Sequence, residues 1–391
     1  MAHINKKQWM NMKNNELFPL RVASGKRFCN RIKERKLLKE LFEQKCPTVL
    51  ISPRRYGKTS LAYKVTEESK YPFCAIDFLT VYNDESVCAC IIKSISELMA
   101  KIMPVNMKTV KLLEQCFSGV RISILSKFIE FEFVSPLEKT DPIRQVLEVL
   151  KGLEILAGKL DKTVVVFIDE FQRVLEIERG DAIQGTIRSI AQTTKNIAFL
   201  FSGSSRHMLS QAFDDPNQPL YMMCEKIFLG RIAADDYVPY IQEAAMIRWS
   251  CKLDLKIVQR IIELAEEHPF YVNFLCSKLW QKDKAPDDIA NIDYGWQECL
   301  LSEKRRLIEE LDKLTTTQCL ILKEIAGTVN LKEPTAVSFL TKIKKSSGTV
   351  IPVIKSLEKK DMIYVDQNGV TRVLDPLMKY FLIASQSVID A

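Results

Sequence analysis

Residues 47–61, Pro-Thr-Val-Leu-Ile-Ser-Pro-Arg-Arg-Tyr-Gly-Lys-Thr-Ser-Leu, leave this chain little freedom of fold. An apolar run at 48–51 passes into Gly57-Lys58-Thr59 and then into an amphipathic helical pattern. A strand that turns this way into a helix makes a cup of backbone N–H groups at the positive end of the helix dipole. That cup suits phosphate. Lys58 adds a full charge, and the Thr59 hydroxyl is a ligand type for Mg2+. Gly57 supplies a backbone conformation that a side chain would obstruct. The pattern G-x-x-x-x-G-K-[ST] is met except at its first glycine, where Ser52 stands, and a small residue there still lets the chain turn.

A second signal lies about a hundred residues on. Thr163-Val164-Val165-Val166-Phe167-Ile168 has no polar alternation, as a parallel strand buried on both faces requires, and it ends in Asp169-Glu170. Acids at the carboxyl end of a central strand face the crevice where ligands of open α/β sheets collect. Asp169 is therefore assigned to Mg2+, through water, and Glu170 to the water that attacks the γ-phosphate of ATP. An acid-capped strand end would look the same on its own. The pairing with Gly57-Lys58-Thr59 at this separation favours the functional assignment.

With 391 residues and 47% apolar content, the chain has material for more than one core. It lacks any run of eighteen apolar residues, and 1–15 is polar and Lys-rich without an apolar signal core, so a cytoplasmic protein with no membrane partner is expected. The eleven cysteines are scattered through apolar segments, as reduced core residues are. No CxxC occurs and His3, His207 and His268 are far apart, so no zinc site is expected. A net charge of +7 is mild, but 332–360 concentrates seven Lys against two Glu. That cluster reads equally as a nucleic-acid face or as a solvated helix face.

Five apolar segments, 48–51, 73–78, 164–168, 197–201 and 226–229, predict one open parallel sheet flanked by helices. The fold class is α/β, a P-loop NTPase core at 26–232 after an N-terminal segment, 1–25. Between 84 and 162, runs such as Ile91, Ile92, Ile95, Leu98, Met99 and Ile143, Val146, Leu147, Leu150, Leu153 keep helical period, which predicts an inserted helical hairpin or pair. The pattern is wholly helical over 233–282, with Val258, Ile261, Ile262 and Ala265 on one face, and is read as a small α-helical lid. A linker helix region, 283–313, begins with the Asp/Lys-rich stretch 283–293 around Pro286, which reads as the linker itself.

The chain closes with a winged helix-turn-helix at 314–386. Helices are predicted at 320–326, 335–342 and 350–360, opened by capping residues such as Thr315-Thr316-Thr317-Gln318 and Ser346-Ser347-Gly348-Thr349. A hairpin with Asn368-Gly369 at its turn follows. The third helix would offer Ser346, Ser347, Thr349, Lys355, Lys359 and Lys360 to a DNA groove. Contacts to protein, or packing against the ATPase core, remain equally open.

Taken together these pieces resemble the bacterial and archaeal P-loop ATPases of the AAA+ superfamily, close to the STAND and origin-recognition branch. The likeness runs from about residue 28 to 382. Phe28-Cys29-Asn30-Arg31 with Glu34 is similar to the family's Phe-x-x-Arg-x-x-Glu segment near the adenine pocket. Leu50-Ile51-Ser52-Pro53-Arg54-Arg55-Tyr56-Gly57-Lys58-Thr59 resembles its phosphate loop, and Asp169-Glu170-Phe171-Gln172 its acidic strand end. Phe201-Ser202-Gly203-Ser204-Ser205-Arg206-His207-Met208 resembles the sensor strand and the turn after it. Glu267-His268-Pro269-Phe270-Tyr271 is similar to the family's Gly-His-Pro, with Glu267 in place of glycine. Pro219-Leu220-Tyr221 follows a family motif whose next residues, often Gly-Arg, are here Met222-Met223, so no arginine finger stands there.

The resemblance implies a Mg2+-dependent ATPase that binds ATP and ADP. Nucleotide contacts are implied for Arg31, Ser52, Pro53, Arg54, Arg55, Tyr56, Gly57, Lys58, Thr59, Ser60, His268 and Pro269, with the metal at Thr59 and Asp169. Glu170, Ser202, Ser204 and Arg206 are the implied catalytic residues. Arg206 reads equally as an arginine finger or as a turn arginine bonded to local carbonyls, and the alternative for His268 is a plain helix-start residue. Asp375-Pro376-Leu377-Met378-Lys379-Tyr380-Phe381 resembles the ending of the family's winged helix, which implies docking of the wing onto the body. The working reading is an ATP-driven switch. A nucleotide-gated DNA-binding regulator, or a signalling or defence scaffold that forms homo-oligomers on ATP, is the alternative.

Overall fold

The computed structural model of the chain describes residues 17–103, 106–117, 120–125, 128–133, 141–366 and 368–387. These residues form two compact units. One is Arg31–Gly230, and the other joins the segment before residue 31 to everything from Arg231 onward.

The first unit runs α1 (Ile32–Glu43), β1 (Thr48–Ile51), α2 (Lys58–Ser69), β2 (Phe73–Asp77), α3 (Asp84–Ile102) and α4 (Met107–Cys116). It continues through β3 (Val120–Leu125), β4 (Phe128–Phe133), α5 (Pro142–Lys159), β5 (Val164–Asp169), α6 (Gly180–Ala191), β6 (Ile197–Gly203), α7 (Arg206–Asp214) and β7 (Glu225–Phe228). The five strands expected from the sequence form one parallel sheet in the order β2-β5-β6-β1-β7. Val164 to Ile168 are all buried, which is why β5 carries no alternation. Between β6 and β7 the chain crosses β1, and such a reversal of strand order opens a crevice at the carboxyl ends of the neighbouring strands.

The insertion at 84–162 differs from the wholly helical expectation. Besides α3, α4 and α5 it holds an antiparallel hairpin in which Val120 pairs with Phe133 and Leu125 with Phe128. Its strands read Val-Arg-Ile-Ser-Ile-Leu and Phe-Ile-Glu-Phe-Glu-Phe, rich in β-branched and aromatic residues. The two-residue period of a strand does not coincide with the 3.6-residue period of the flanking helices.

The second unit is helical through α8 (Ala234–Trp249), α9 (Leu255–Leu264), α10 (Pro269–Leu279) and α11 (Ile289–Leu311), so a helix starts inside the stretch read as a linker. Val258, Ile261, Ile262 and Ala265 are buried as their spacing predicts. Before them in sequence, Phe18 packs edge-on to Tyr240 and Trp280, and the Tyr240 hydroxyl lies 3.1 Å from the carbonyls of both Leu17 and Arg27, which share its one proton. The winged-helix pattern follows as α12 (Thr316–Gly327), α13 (Val337–Ile343), α14 (Ser347–Lys359), β8 (Ile363–Val365), β9 (Thr371–Val373) and α15 (Pro376–Ser387). Thr315 and Gln318 form a full capping box on α12. Gly369 takes φ 76 in the turn between β8 and β9.

Asp375 ties this wing to the helices before it. One oxygen accepts from the Leu377 and Met378 amides at 2.8 and 3.1 Å, which caps α15. The other accepts from the Tyr271 hydroxyl of α10 and from Arg306 Nη2 of α11 at 3.0 Å. Glu266 makes a parallel link, taking Arg231 and Lys379 at 2.7 and 2.6 Å. Burial alone would raise the Glu266 carboxyl, and the two cations outweigh it and hold the group below the ordinary glutamate value. Among the described residues no helix is long and apolar enough to cross a membrane.

Candidate functional site

The site begins with register. β5, β6 and β1 lie side by side, with Ile168 opposite Phe201 and Ile51 opposite Gly203. Their carboxyl ends are therefore level, and the loop after β1 meets Asp169 and Ser202 at one edge of the sheet.

Gly57 caps α2 at φ 87. A Cβ built on it meets nothing within 4 Å, so glycine is needed here for its backbone and not for space. The first turn of α2 contains no acidic residue, which leaves the positive end of its dipole uncompensated. Lys58 is buried at 6% exposure, with its ammonium inside the loop, 3.0 Å from the carbonyls of Ser52 and Pro53 and 3.4 Å from Ser52 Oγ. Thr59 Oγ1 donates to Asp169 Oδ2 at 2.7 Å, and the Ser202 hydroxyl donates to the other oxygen of Asp169. Ser60, in the same turn, is buried.

Glu170 adopts a left-handed backbone, φ 52, which costs about 1–2 kcal/mol for a residue with a Cβ. That turn opens the 3-10 segment Phe171–Glu176. Its carboxylate accepts from Ser204 Oγ at 2.9 Å and from Gln172 Nε2. Ser204 in turn accepts from Arg54 Nε of the phosphate loop at 3.2 Å. Arg55, next in the loop, is left-handed at φ 66.

Arg31 does something the motif alone does not reveal. Its Nη2 donates to the carbonyl of Tyr56, within the loop, at 2.9 Å and to that of Gly230 at 2.8 Å, while Nη1 meets Glu34 at 3.1 Å. The arginine and glutamate of the Phe-x-x-Arg-x-x-Glu segment thus pair with each other and brace the loop from behind. One guanidinium thus serves two carbonyls through Nη2 and a carboxylate through Nη1, a division between two nitrogens that a single lysine ammonium cannot make.

The chain matches solved structures along nearly its whole length. A Walker-type ATPase of Pyrococcus abyssi superposes with a TM-score of 0.68 at 18% identity, over 94% of this chain and 99% of that one. The Aeropyrum pernix ORC2 protein, in its ADPNP-ADP complexes, gives 0.55 at 13% identity, over 92% and 96%. This chain has the fold of a Walker-type ATPase. Its C-terminal part, 307–384, matches the family model described as a probable winged helix domain. No curated protein matches the sequence.

Within this Walker-type fold, a hydroxyl and a carboxylate oxygen 2.7 Å apart are hard oxygen donors of the kind Mg2+ takes, so Thr59 and Asp169 fit that ion. Arg206 is the first residue of α7, where Ser205 is the N-cap and accepts from the Met208 amide. A cation at a helix N-terminus opposes the dipole, so Arg206 gains nothing from the helix for being there. His268 and Pro269 belong to the other unit. His268 Nδ1 accepts from the Phe270 amide at 3.2 Å and caps α10, which puts the proton of the neutral ring on Nε2.

On α14, Lys355 and Lys359 are exposed, as are Ser346, Ser347 and Thr349 around its start. Lys360, grouped with those lysines from the sequence, is engaged elsewhere. Its ammonium lies 3.2 Å from the Lys313 carbonyl and 3.2 Å from Gln318 Oε1, because the chain turns at the end of α14 and aims it at the start of α12. Gln172 and Gly203, which the sequence reading left without roles, belong to the site as well. The signal for both was position, two residues after Glu170 and one after Ser202.

Proposed function

We propose that this protein binds Mg-ATP and hydrolyses it to ADP and phosphate, and that the cycle works as a switch acting on the helical lid and winged helix. The contact between Thr59 and Asp169 is the observation that carries the proposal. It brings the metal-ligand hydroxyl of the phosphate loop against the carboxylate of a strand that is not its neighbour in the chain or in the sheet.

Lys58 and the loop amides bind the β- and γ-phosphates, and Arg54 and Arg55 stand in the same loop. Thr59 and Asp169 would hold Mg2+, which when bound would supply charge neutralisation for the phosphates. Glu170 takes a proton from water as the water oxygen attacks the γ-phosphorus and the bond to ADP breaks. Ser202 and Ser204 orient the attacking water, and Arg206 is the candidate for stabilising transition-state charge. His268, with Pro269, is proposed to read the phosphates through its Nε2 proton.

The test is ATP turnover with Mg2+ in wild type and Glu170→Gln. The expected result is unchanged ATP affinity with turnover lowered about 100-fold or more. Equal turnover in the two removes Glu170 from its role. A second reading, a nucleotide-gated DNA-binding regulator, draws support from the exposed Lys355 and Lys359 beside the hydroxyls that open α14.

A further inference from the structure

We propose that Gln172 is a positioning residue for Glu170, and that its clamp leaves Oε1 of that carboxylate as the atom that receives the proton from water. The inference deepens the proposed hydrolytic reading and rests on it. Gln172 is 4% exposed. Its Nε2 donates to Glu170 Oε2 and lies 3.5 Å from Ser204 Oγ. Ser204 Oγ donates to the same Oε2 at 2.9 Å. Among the described residues, both side-chain donors to the Glu170 carboxylate reach Oε2 and neither reaches Oε1.

The directions of these bonds follow from counting protons. A serine hydroxyl has one proton and two acceptor positions. Arg54 Nε, at 3.2 Å, can only donate to Ser204, and so can the Gln172 amide nitrogen. With both acceptor positions taken, the one Ser204 proton goes to Glu170.

The orientation of the Gln172 amide is set in the same way. Its Oε1 is buried with no hydrogen-bond partner, which is unfavourable, yet turning the amide over would put that oxygen against the Glu170 carboxylate. Gly203 makes room for it, since a Cβ there would lie 1.9 Å from Gln172 Oε1. An unpaired oxygen is thus retained while both Nε2 contacts fall within the cluster around Glu170. Through Ser204 the clamp also reaches Arg54, so the base is tied to the loop proposed to grip the phosphates.

The experiment compares Gln172→Met, which keeps bulk and loses the donors, with Gln172→Glu, which is isosteric and puts an acceptor against the carboxylate. Steady-state ATP turnover, affinity for a non-hydrolysable ATP analogue, and thermal melts are recorded for each. The expected result is kcat lowered about 100-fold, as for a misplaced catalytic group, with KM and analogue affinity within about twofold of wild type. Gly203→Ala is expected to lower kcat in the same direction by displacing Gln172. Wild-type kcat in a folded Gln172→Met overturns the proposal, and should that variant fail to fold, wild-type kcat in Gln172→Glu overturns it instead. If those variants are active while Glu170→Gln is dead, the base assignment stands and the clamp alone is rejected. If Glu170→Gln itself turns over at the wild-type rate, both fall.

Discussion

Thr59 Oγ1 donates to Asp169 Oδ2 across 2.7 Å, although 110 positions separate the two residues in the chain. Only a parallel sheet with β6 inserted between β1 and β5 brings the loop after one strand level with the end of the other. The same edge gathers Lys58, Ser202, Ser204 and Glu170, so one topological fact accounts for most of the site.

Replacement of Gly57 tests the backbone part of this account. Nothing crowds its missing side chain, so Gly57→Ala is expected to lose stability only through the left-handed φ, by about 1 kcal/mol. Gly57→Asn is expected to lose less, because asparagine tolerates that conformation better. Denaturant titration of both variants gives the ranking, and equal stability of alanine and glycine would contradict it.

The link between Glu266, Arg231 and Lys379 predicts a pH dependence. The carboxyl is lowered in the folded protein, so its contribution is fully present above the unfolded value, about 4.3, and drains away as pH falls through the folded value. Glu266→Gln is expected to cost about 2 kcal/mol at pH 7. The gap to wild type should narrow on acidification below about pH 4. Melting curves from pH 7 to pH 3 measure it, and a gap that widens toward acid would refute the assignment.

On α14 the lysines divide. Lys355→Ala and Lys359→Ala are each expected to reduce the salt dependence of duplex-DNA binding, by about one unit of slope for each phosphate that is no longer neutralised. Lys360→Ala is expected to leave that slope unchanged and to weaken the fold of the winged helix, since its ammonium meets Lys313 and Gln318. Binding that does not respond to salt would reject DNA as a partner of this face.

Much of this was legible in the sequence where one local rule dominates. The run 163–168 announces a strand covered on both faces, and Gly57-Lys58-Thr59 announces its turn, because neither depends on distant residues. The β3–β4 hairpin was missed because it lies between strong helical periods that invite a helix throughout. Side-chain direction is the other thing sequence withholds. Arg31 matches a segment near the adenine pocket, but its guanidinium ends on the carbonyls of Tyr56 and Gly230. Lys360 lies five residues after Lys355 and is exposed like it, yet its ammonium bonds back to Lys313 and Gln318. The partnership of Gln172 with Glu170 needs the left-handed turn at Glu170 and the bare Cα of Gly203, and both come from the folded chain.

The central claim is that phosphate is gripped between the Lys58 loop and the Asp169 carboxylate. Calorimetric titration of ATP, with and without Mg2+, into wild type, Lys58→Ala and Asp169→Ala tests it most directly. The account predicts Mg2+-dependent binding by wild type, an affinity about 100-fold weaker in Lys58→Ala, and loss of the Mg2+ dependence in Asp169→Ala. Wild-type affinity in a folded Lys58→Ala would contradict it.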